Sequence, residues 1–275
     1  MIRDIINKLN SELPATVRLV AVSKFHPFES IEEAYAAGQR VFAESRPQEL
    51  LAKVRRIEEA RTLKVAEAVA AGGDVEEAKN YMSDIEWHFI GHLQTNKLKM
   101  VLPYVSLIQS VDSVRLLDAI QTWGAANDKV IPVLLEPHVA AEESKQGFAA
   151  EEIYEILSRA DIDSEKLTDI DSERLTGGES DGDSGEYDCC LAGAYPNICF
   201  RGIMGMATFT DDESVVASDF AALRNIFDTC QSRFPHLAAD FTELSIGMSD
   251  DYPLAIKYGS TMIRIGSMIF GERSY

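Results

Sequence analysis

The sequence predicts an α/β protein, a single (β/α)8 TIM barrel, and three observations carry that expectation. Eight short strand candidates recur along the 275 residues, each followed by helix-like or loop sequence. Several are continuous apolar runs, such as Ile131-Pro132-Val133-Leu134-Leu135, the pattern of strands covered on both faces. No Gly-x-Gly-x-x-Gly turn follows the first strand, as an open doubly wound sheet would favour. A hydrophobic content of 46% supplies enough material for one large core.

The elements follow in order. Residues 1–8 mix both charges with apolar side chains at helical spacing, unlike a signal peptide. The first strand covers about 17–23, and Lys24 closes it ahead of the turn Phe25-His26-Pro27. Ser30 opens a helix with a capping-box spacing to Glu33, and Gly38 ends it. A second strand at about 40–43 precedes a long connection, 48–84, broken at Ala71-Gly72-Gly73-Asp74; this predicts a long helix or a helical hairpin on the outside. Strands at about 86–91, 106–111 and 130–136 come next, with a helix starting at Asp112-Ser113.

Between the fifth helix and the sixth strand lies an acidic excursion, about 161–188, with eleven acidic and two basic residues and an eight-residue repeat from Asp161 to Thr176. It lacks the glycine and terminal glutamate of a calcium loop and reads as a solvated insertion. Strands at about 198–206, 241–246 and 261–266 complete the set, with a helix from Ser214 between the first two. The domain expectation is one ligand-binding barrel over 1–275.

A net charge of −19 with no basic cluster opposes nucleic acid as a partner, and no apolar run approaches a membrane span. The expected setting is cytoplasmic, as a monomer or weak homodimer. Cys189, Cys190, Cys199 and Cys230 form no Cys-x-x-Cys and fit reduced thiols better than a disulfide framework. His88 and His92 have helical zinc spacing, but they fall on a strand and its exit loop without the Glu of His-Glu-x-x-His, so no metal is expected. His92, near the barrel mouth, is at most a supporting residue there.

In such a barrel the active site opens at the carboxyl ends of the strands, and phosphate commonly sits on the loops after the seventh and eighth. Lys24 stands at the end of the first strand, where a desolvated amine loses its proton more readily and can attack a carbonyl. Ser245-Ile246-Gly247-Met248-Ser249 and Gly266-Ser267 are small-residue loops at the last two strand ends, suited to an anion. The bland alternatives are a structural ion pair for the lysine and ordinary turns for the loops. Together they describe a phosphorylated carbonyl compound held against Lys24: pyridoxal 5′-phosphate, or a sugar phosphate in a Schiff-base aldolase. Arg264, two residues before Gly266, favours the first because its guanidinium can reach a pyridine nitrogen.

Ala21-Val22-Ser23-Lys24, the run Trp87 to Lys97, Glu142-Glu143-Ser144-Lys145-Gln146-Gly147, Arg201 to Met206, Leu244 to Asp251 and Gly259 to Ser267 closely resemble the pyridoxal phosphate homeostasis proteins. The resemblance runs from about residue 17 to the end, apart from the acidic excursion. It implies a fold like the amino-terminal domain of alanine racemase, pyridoxal phosphate fold type III. It also implies pyridoxal 5′-phosphate as cofactor, Lys24 as the Schiff-base lysine, phosphate contacts from Ser245, Gly266 and Ser267, and Arg264 at the pyridine nitrogen, with no catalytic residue assigned.

The family's implied role is vitamin B6 and amino-acid homeostasis without a firm catalytic activity. A racemase needs acid/base groups on both cofactor faces, one of them from a further β domain of a partner subunit, whereas this chain stops at Tyr275. An arginine also cannot give the pyridine nitrogen the full proton that makes the ring a strong electron sink. Binding without efficient turnover is the expectation; a pyridoxal phosphate-dependent racemase or lyase is the alternative, and the aldolase a second. The sequence departs from the family pattern at Ala43, Ser45 and Arg46, at His26, and at Glu136-Pro137-His138.

Overall fold

In this computed structural model the described residues are 1–139, 147–161 and 193–271. The expected insertion at about 161–188 and most of the 142–147 motif lie outside them. The elements run α1 Ile2–Glu12, β1 Arg18–Val22, α2 Phe28–Ala36, β2 Val41–Glu44, α3 Pro47–Ala71, α4 Val75–Lys79, β3 Glu86–Phe89, α5 Leu98–Val101, β4 Leu107–Val111 and α6 Val114–Asn127. They continue as β5 Ile131–Leu135, α7 Ala150–Ala160, β6 Ile198–Met204, α8 Glu213–Arg233, β7 Glu243–Ser245, α9 Tyr252–Lys257, β8 Met262–Ile265 and α10 Ser267–Phe270.

All eight strands are parallel and pair in sequence order, and β8 closes on β1, so the sheet is a closed barrel. The closing register sets Arg18 against Met262, Val20 against Arg264 and Ala21 against Ile265. Each expected strand is present: seven are one to three residues shorter than the expected run, and β2 keeps its length but lies one residue further along.

Alternation along each strand sorts side chains to two sides of the wall. Val20, Val22, Val41, Ala43, Leu107, Leu134, Met204 and Met262 pack together inside the barrel, while Leu19, Ala21, Phe42 and Ile108 join the larger core between sheet and helices. Four interior positions are polar and buried: His88 on β3, Gln109 on β4, Ser245 on β7 and Arg264 on β8.

The long connection resolves as one 25-residue helix, α3, followed by the short α4. Pro47 sits at its first turn, where no intrahelical N–H is lost, and Gly72 ends it in the left-handed conformation at φ 67°. Only Leu50, Lys53, Val54 and Ile57 of α3 are buried, so its second half stands off the barrel with Leu63 and Val69 exposed.

Two expectations are corrected. α2 begins at Phe28 with Pro27 as its entry residue and no side-chain cap, so Ser30 lies inside the first turn rather than capping it. Proline's fixed φ, here −70°, already sets the entry angle. Cys199 on β6 is disulfide-bonded, where composition argued for reduced thiols; a cysteine count carries no information on which sulfurs meet. Cys230 is a free buried thiol that burial pushes up to about 12.

Between β5 and β6 the register slips: Val133 faces Phe200, and Leu134 faces Gly202. Gly202 has φ 148°, and a Cβ there would stand 1.8 Å from the Glu243 carbonyl oxygen on β7. Gly202→Ala is therefore expected to lose at least about 2 kcal/mol of stability. Denaturant midpoints of wild type and variant, compared at equal slope, measure it.

Candidate functional site

The closing seam carries the site. Lys24 lies two residues beyond β1, and Gly266 follows β8 directly, so the β1–β8 pairing brings them to one rim. A cavity of about 350 Å³ opens there, lined by Lys24, Arg264, Gly266, Ser267 and Ser249. Met204, Met206 and Met248 form part of its apolar wall. Such a volume is within the range of small-ligand sites. Broader depressions along α3 and beside Phe25–Glu29 are shallow grooves by comparison.

Four of the five residues singled out from the sequence thus meet in one cavity. The fifth, Ser245, does not line it. As the last residue of β7 it is paired with Met262, and the strand period turns its side chain into the barrel, where it is fully buried. Its hydroxyl donates to Gln109 Oε1 at 2.7 Å and accepts from Arg264 Nη1 at 2.8 Å. Ser249, four residues on in the same loop, reaches the cavity instead. Ser267 Oγ donates to Ser249 Oγ at 3.1 Å, which ties the two loops together.

Behind the wall, a second polar group fixes the turn that carries Lys24. Lys53 Nζ on α3 donates to the Ser23 carbonyl at 2.7 Å and to Glu44 Oε1 at 2.6 Å, and the Ser23 hydroxyl donates to the same oxygen at 2.6 Å. Burial raises the Glu44 pKa against the pull of Lys53. Its other oxygen, Oε2, has no partner among the described residues.

The turn itself is tight: Phe25 has φ 67°, a left-handed conformation uncommon for an aromatic residue, and its N–H donates to Glu49 Oε2 at 3.0 Å. Arg46, one of the departures from the family pattern, lies 4.4 Å over the Phe25 ring and 3.4 Å from Glu49. His26, another departure, stacks on Phe270 at 5.2 Å, and burial followed by the charge of Lys53 lowers its pKa.

Arg264 is 4% exposed. Besides Ser245 Oγ, its Nη1 donates to the Ser245 carbonyl at 2.7 Å, and Nη2 donates to the Gly205 carbonyl at 2.9 Å. Burial brings its pKa down to about 10, against the opposing charges of Glu136 and Asp251. Glu136, at the exit of β5, is pushed up to about 7 by burial and by Asp112, despite Arg264 and His92. His92 Nδ1 lies 2.8 Å from Asp112 Oδ2 at the barrel mouth. Among the described residues no group of three or more His, Cys, Asp or Glu side chains could hold a metal ion.

Gln109 and the Glu44–Lys53 pair are not singled out from the sequence, and Glu136 stands there only as a departure from the family pattern. Gln109 left a signal there: an amide in the middle of the apolar strand Leu107–Val111 must find a buried partner. The arrangement as a whole offers an amine, a buried cation and a small-residue anion rim around one apolar-walled cavity.

No family model matches the chain. A pyridoxal phosphate homeostasis protein of Haemophilus influenzae is 30% identical over 260 residues, 94% of this chain and 86% of its own length. The human protein of that name is 33% identical over 271 residues, 96% of this chain and 80% of its own. The structure of PipY from Synechococcus elongatus with pyridoxal phosphate bound superposes with a TM-score of 0.71 at 28% identity, covering 98% of this chain and all of PipY. Alanine racemase from Corynebacterium glutamicum shares the fold, with a TM-score of 0.59 at 12% identity over 99% of this chain and 59% of its own.

Glu136 makes stability pH-dependent. Its folded pKa of about 7 lies above the ordinary 4.5, so the folded state holds a proton that the unfolded chain releases, and stability falls as pH rises from 4.5 through 7. At pH 8 the ionised carboxylate costs up to about 3 kcal/mol. Glu136→Gln should match wild type near pH 4.5 and exceed it increasingly toward pH 8, as read from urea unfolding of the cofactor-free protein.

Proposed function

The chain belongs to the pyridoxal phosphate homeostasis protein family, and from that premise we propose that it holds pyridoxal 5′-phosphate covalently on Lys24 and serves vitamin B6 and amino-acid homeostasis. The observation that carries this reading is the convergence of Lys24, Arg264, Gly266, Ser267 and Ser249 on one cavity. The residues suit the cofactor group by group. The lysine is the one amine among the cavity's lining residues, the joined loops at Ser249 and Ser267 suit a phosphate, and Arg264 suits a ring acceptor.

When bound, the cofactor supplies an aldehyde and an electron-withdrawing ring. Lys24, once unprotonated, would be the residue that holds this aldehyde through Nζ. The Lys53–Glu44–Ser23 group holds the backbone of that lysine from behind. The left-handed Phe25 and the Arg46 ring contact keep the turn from relaxing. The loop hydroxyls of Ser249 and Ser267 and the nearby backbone hold the phosphate; Ser245 contributes through Arg264 rather than by contact.

Arg264 donates hydrogen bonds and accepts none, so it stabilises an unprotonated ring nitrogen and leaves the ring a weak electron sink. This favours holding the cofactor over racemase or lyase turnover. The whole barrel acts as one cofactor-binding unit. The net charge of −19 argues against nucleic acid, and among the described residues no helix is long and apolar enough to cross a membrane. A cytoplasmic monomer or weak homodimer completes the proposal.

Purified protein loaded with pyridoxal 5′-phosphate should absorb at the violet edge of the visible and lose that band on borohydride reduction. Mass spectrometry should then place the reduced adduct on Lys24, and Lys24→Ala should show neither band nor adduct. A full-strength reducible band in Lys24→Ala would refute the assignment.

A further inference from the structure

The polar side chains inside the barrel form one hydrogen-bonded chain, and elementary bookkeeping of donors gives it a direction. Arginine has only donors, so Ser245 Oγ accepts from Arg264 Nη1 at 2.8 Å and must send its single proton elsewhere. That proton goes to Gln109 Oε1 at 2.7 Å. With its oxygen committed, Gln109 presents its NH2 group on the other side, where Nε2 is 2.8 Å from His88 Nδ1 and 3.1 Å from Met262 Sδ. A ring nitrogen that receives an N–H carries no proton, so His88 keeps its proton on Nε2.

Each donor therefore points away from the cavity, through the barrel, toward its amino-terminal end. There His88 borders a small polar chamber with Arg18, Glu86 and Glu243. Reversing the amide of Gln109 would leave the buried Ser245 hydroxyl without an acceptor, since both its neighbours would donate to it. Burial and the charge of Arg18 push the His88 pKa down to about 3, which keeps the ring neutral across the working range. Of Arg264's five N–H groups, three are bonded to Ser245 and Gly205, and two remain without a partner among the described residues.

We propose that Gln109 and His88 are positioning residues for Arg264: the Nε2–H form of His88 orients the amide of Gln109. That amide orients the Ser245 hydroxyl, and the hydroxyl fixes the guanidinium so that its remaining N–H groups face the cavity. The ligand feature this serves is an aromatic heterocycle with an unprotonated ring nitrogen. The inference rests on the reading that pyridoxal 5′-phosphate occupies the cavity, and it assigns the ring's protonation to residues on the far side of Ser245.

Two measurements test it. In cofactor-free protein labelled with 15N-histidine, long-range 1H–15N correlation should show the His88 ring protonated on Nε2 alone and unchanged from pH 5 to 8. The signal is assigned by its loss in His88→Phe. A ring protonated on Nδ1, or titrating in that range, overturns the proposal.

The second measurement is titration with pyridoxal 5′-phosphate. Gln109→Leu should weaken uptake about tenfold and shift the visible band, whereas Gln109→Glu, whose carboxylate still accepts from Ser245, should stay within about threefold of wild type. The same Glu variant should give His88 a doubly protonated signal. Wild-type affinity and band in Gln109→Leu would overturn the inference while leaving the cofactor reading intact. Failure of wild-type protein to take up the cofactor would instead sink that reading, and the histidine signal would then decide the chain on its own. Should Gln109→Leu not fold, the Glu variant and the wild-type signal carry the test.

Discussion

Closure of the sheet is the constraint on which the rest of this molecule depends. A parallel sheet with covered faces still has two edges, and here they satisfy each other: β1 and β8 pair over Arg18–Ala21 and Met262–Ile265. No local interaction would place residue 24 beside residue 266. The ladder does so by register alone, since both follow strands that run side by side in the same direction. Gly266 tightens the junction, because a Cβ there would sit 3.2 Å from the Val22 carbonyl oxygen. The amine and the anion rim are therefore held by backbone hydrogen bonds on rigid elements.

Around that seam the structure buries polar groups on both faces of the wall. Outside, Lys53, Glu44 and Ser23 meet within 2.7 Å of one another. Inside, Arg264, Ser245, Gln109 and His88 are joined end to end. Neither set is an economical source of stability, because desolvating charges offsets most of their attraction. What they supply is direction: each holds one cavity-lining residue, Lys24 or Arg264, from the side away from the cavity. The clamp fixes the backbone beneath Lys24, and the interior chain fixes the guanidinium across from it.

Much of this was legible in the sequence, for a physical reason. Strands buried on both faces require apolar runs, so all eight could be read from composition, and the loops after the seventh and eighth could be assigned once the barrel was assumed. What could not be read depends on register or on distant contacts. Ser245 lies in the right loop, yet the β7–β8 pairing turns it inward, a fact that requires the ladder itself. The start of α2 at Phe28 follows from Pro27, while the capping-box spacing at Ser30 competed with it on paper and lost in space. Arg46 looked like a bare departure from a family motif until its position over Phe25 gave it a structural role. The partners of Gln109 come from strands 21 residues before it and 136 residues after it, and no local pattern announces them.

The seam has a consequence for how the protein comes into being. Synthesis makes Lys24 before β8 and the turn after it, which complete the rim of its cavity. A nascent chain on the ribosome therefore carries this lysine without that rim until β8 has been made. The full lining of the cavity therefore exists only once the barrel has closed.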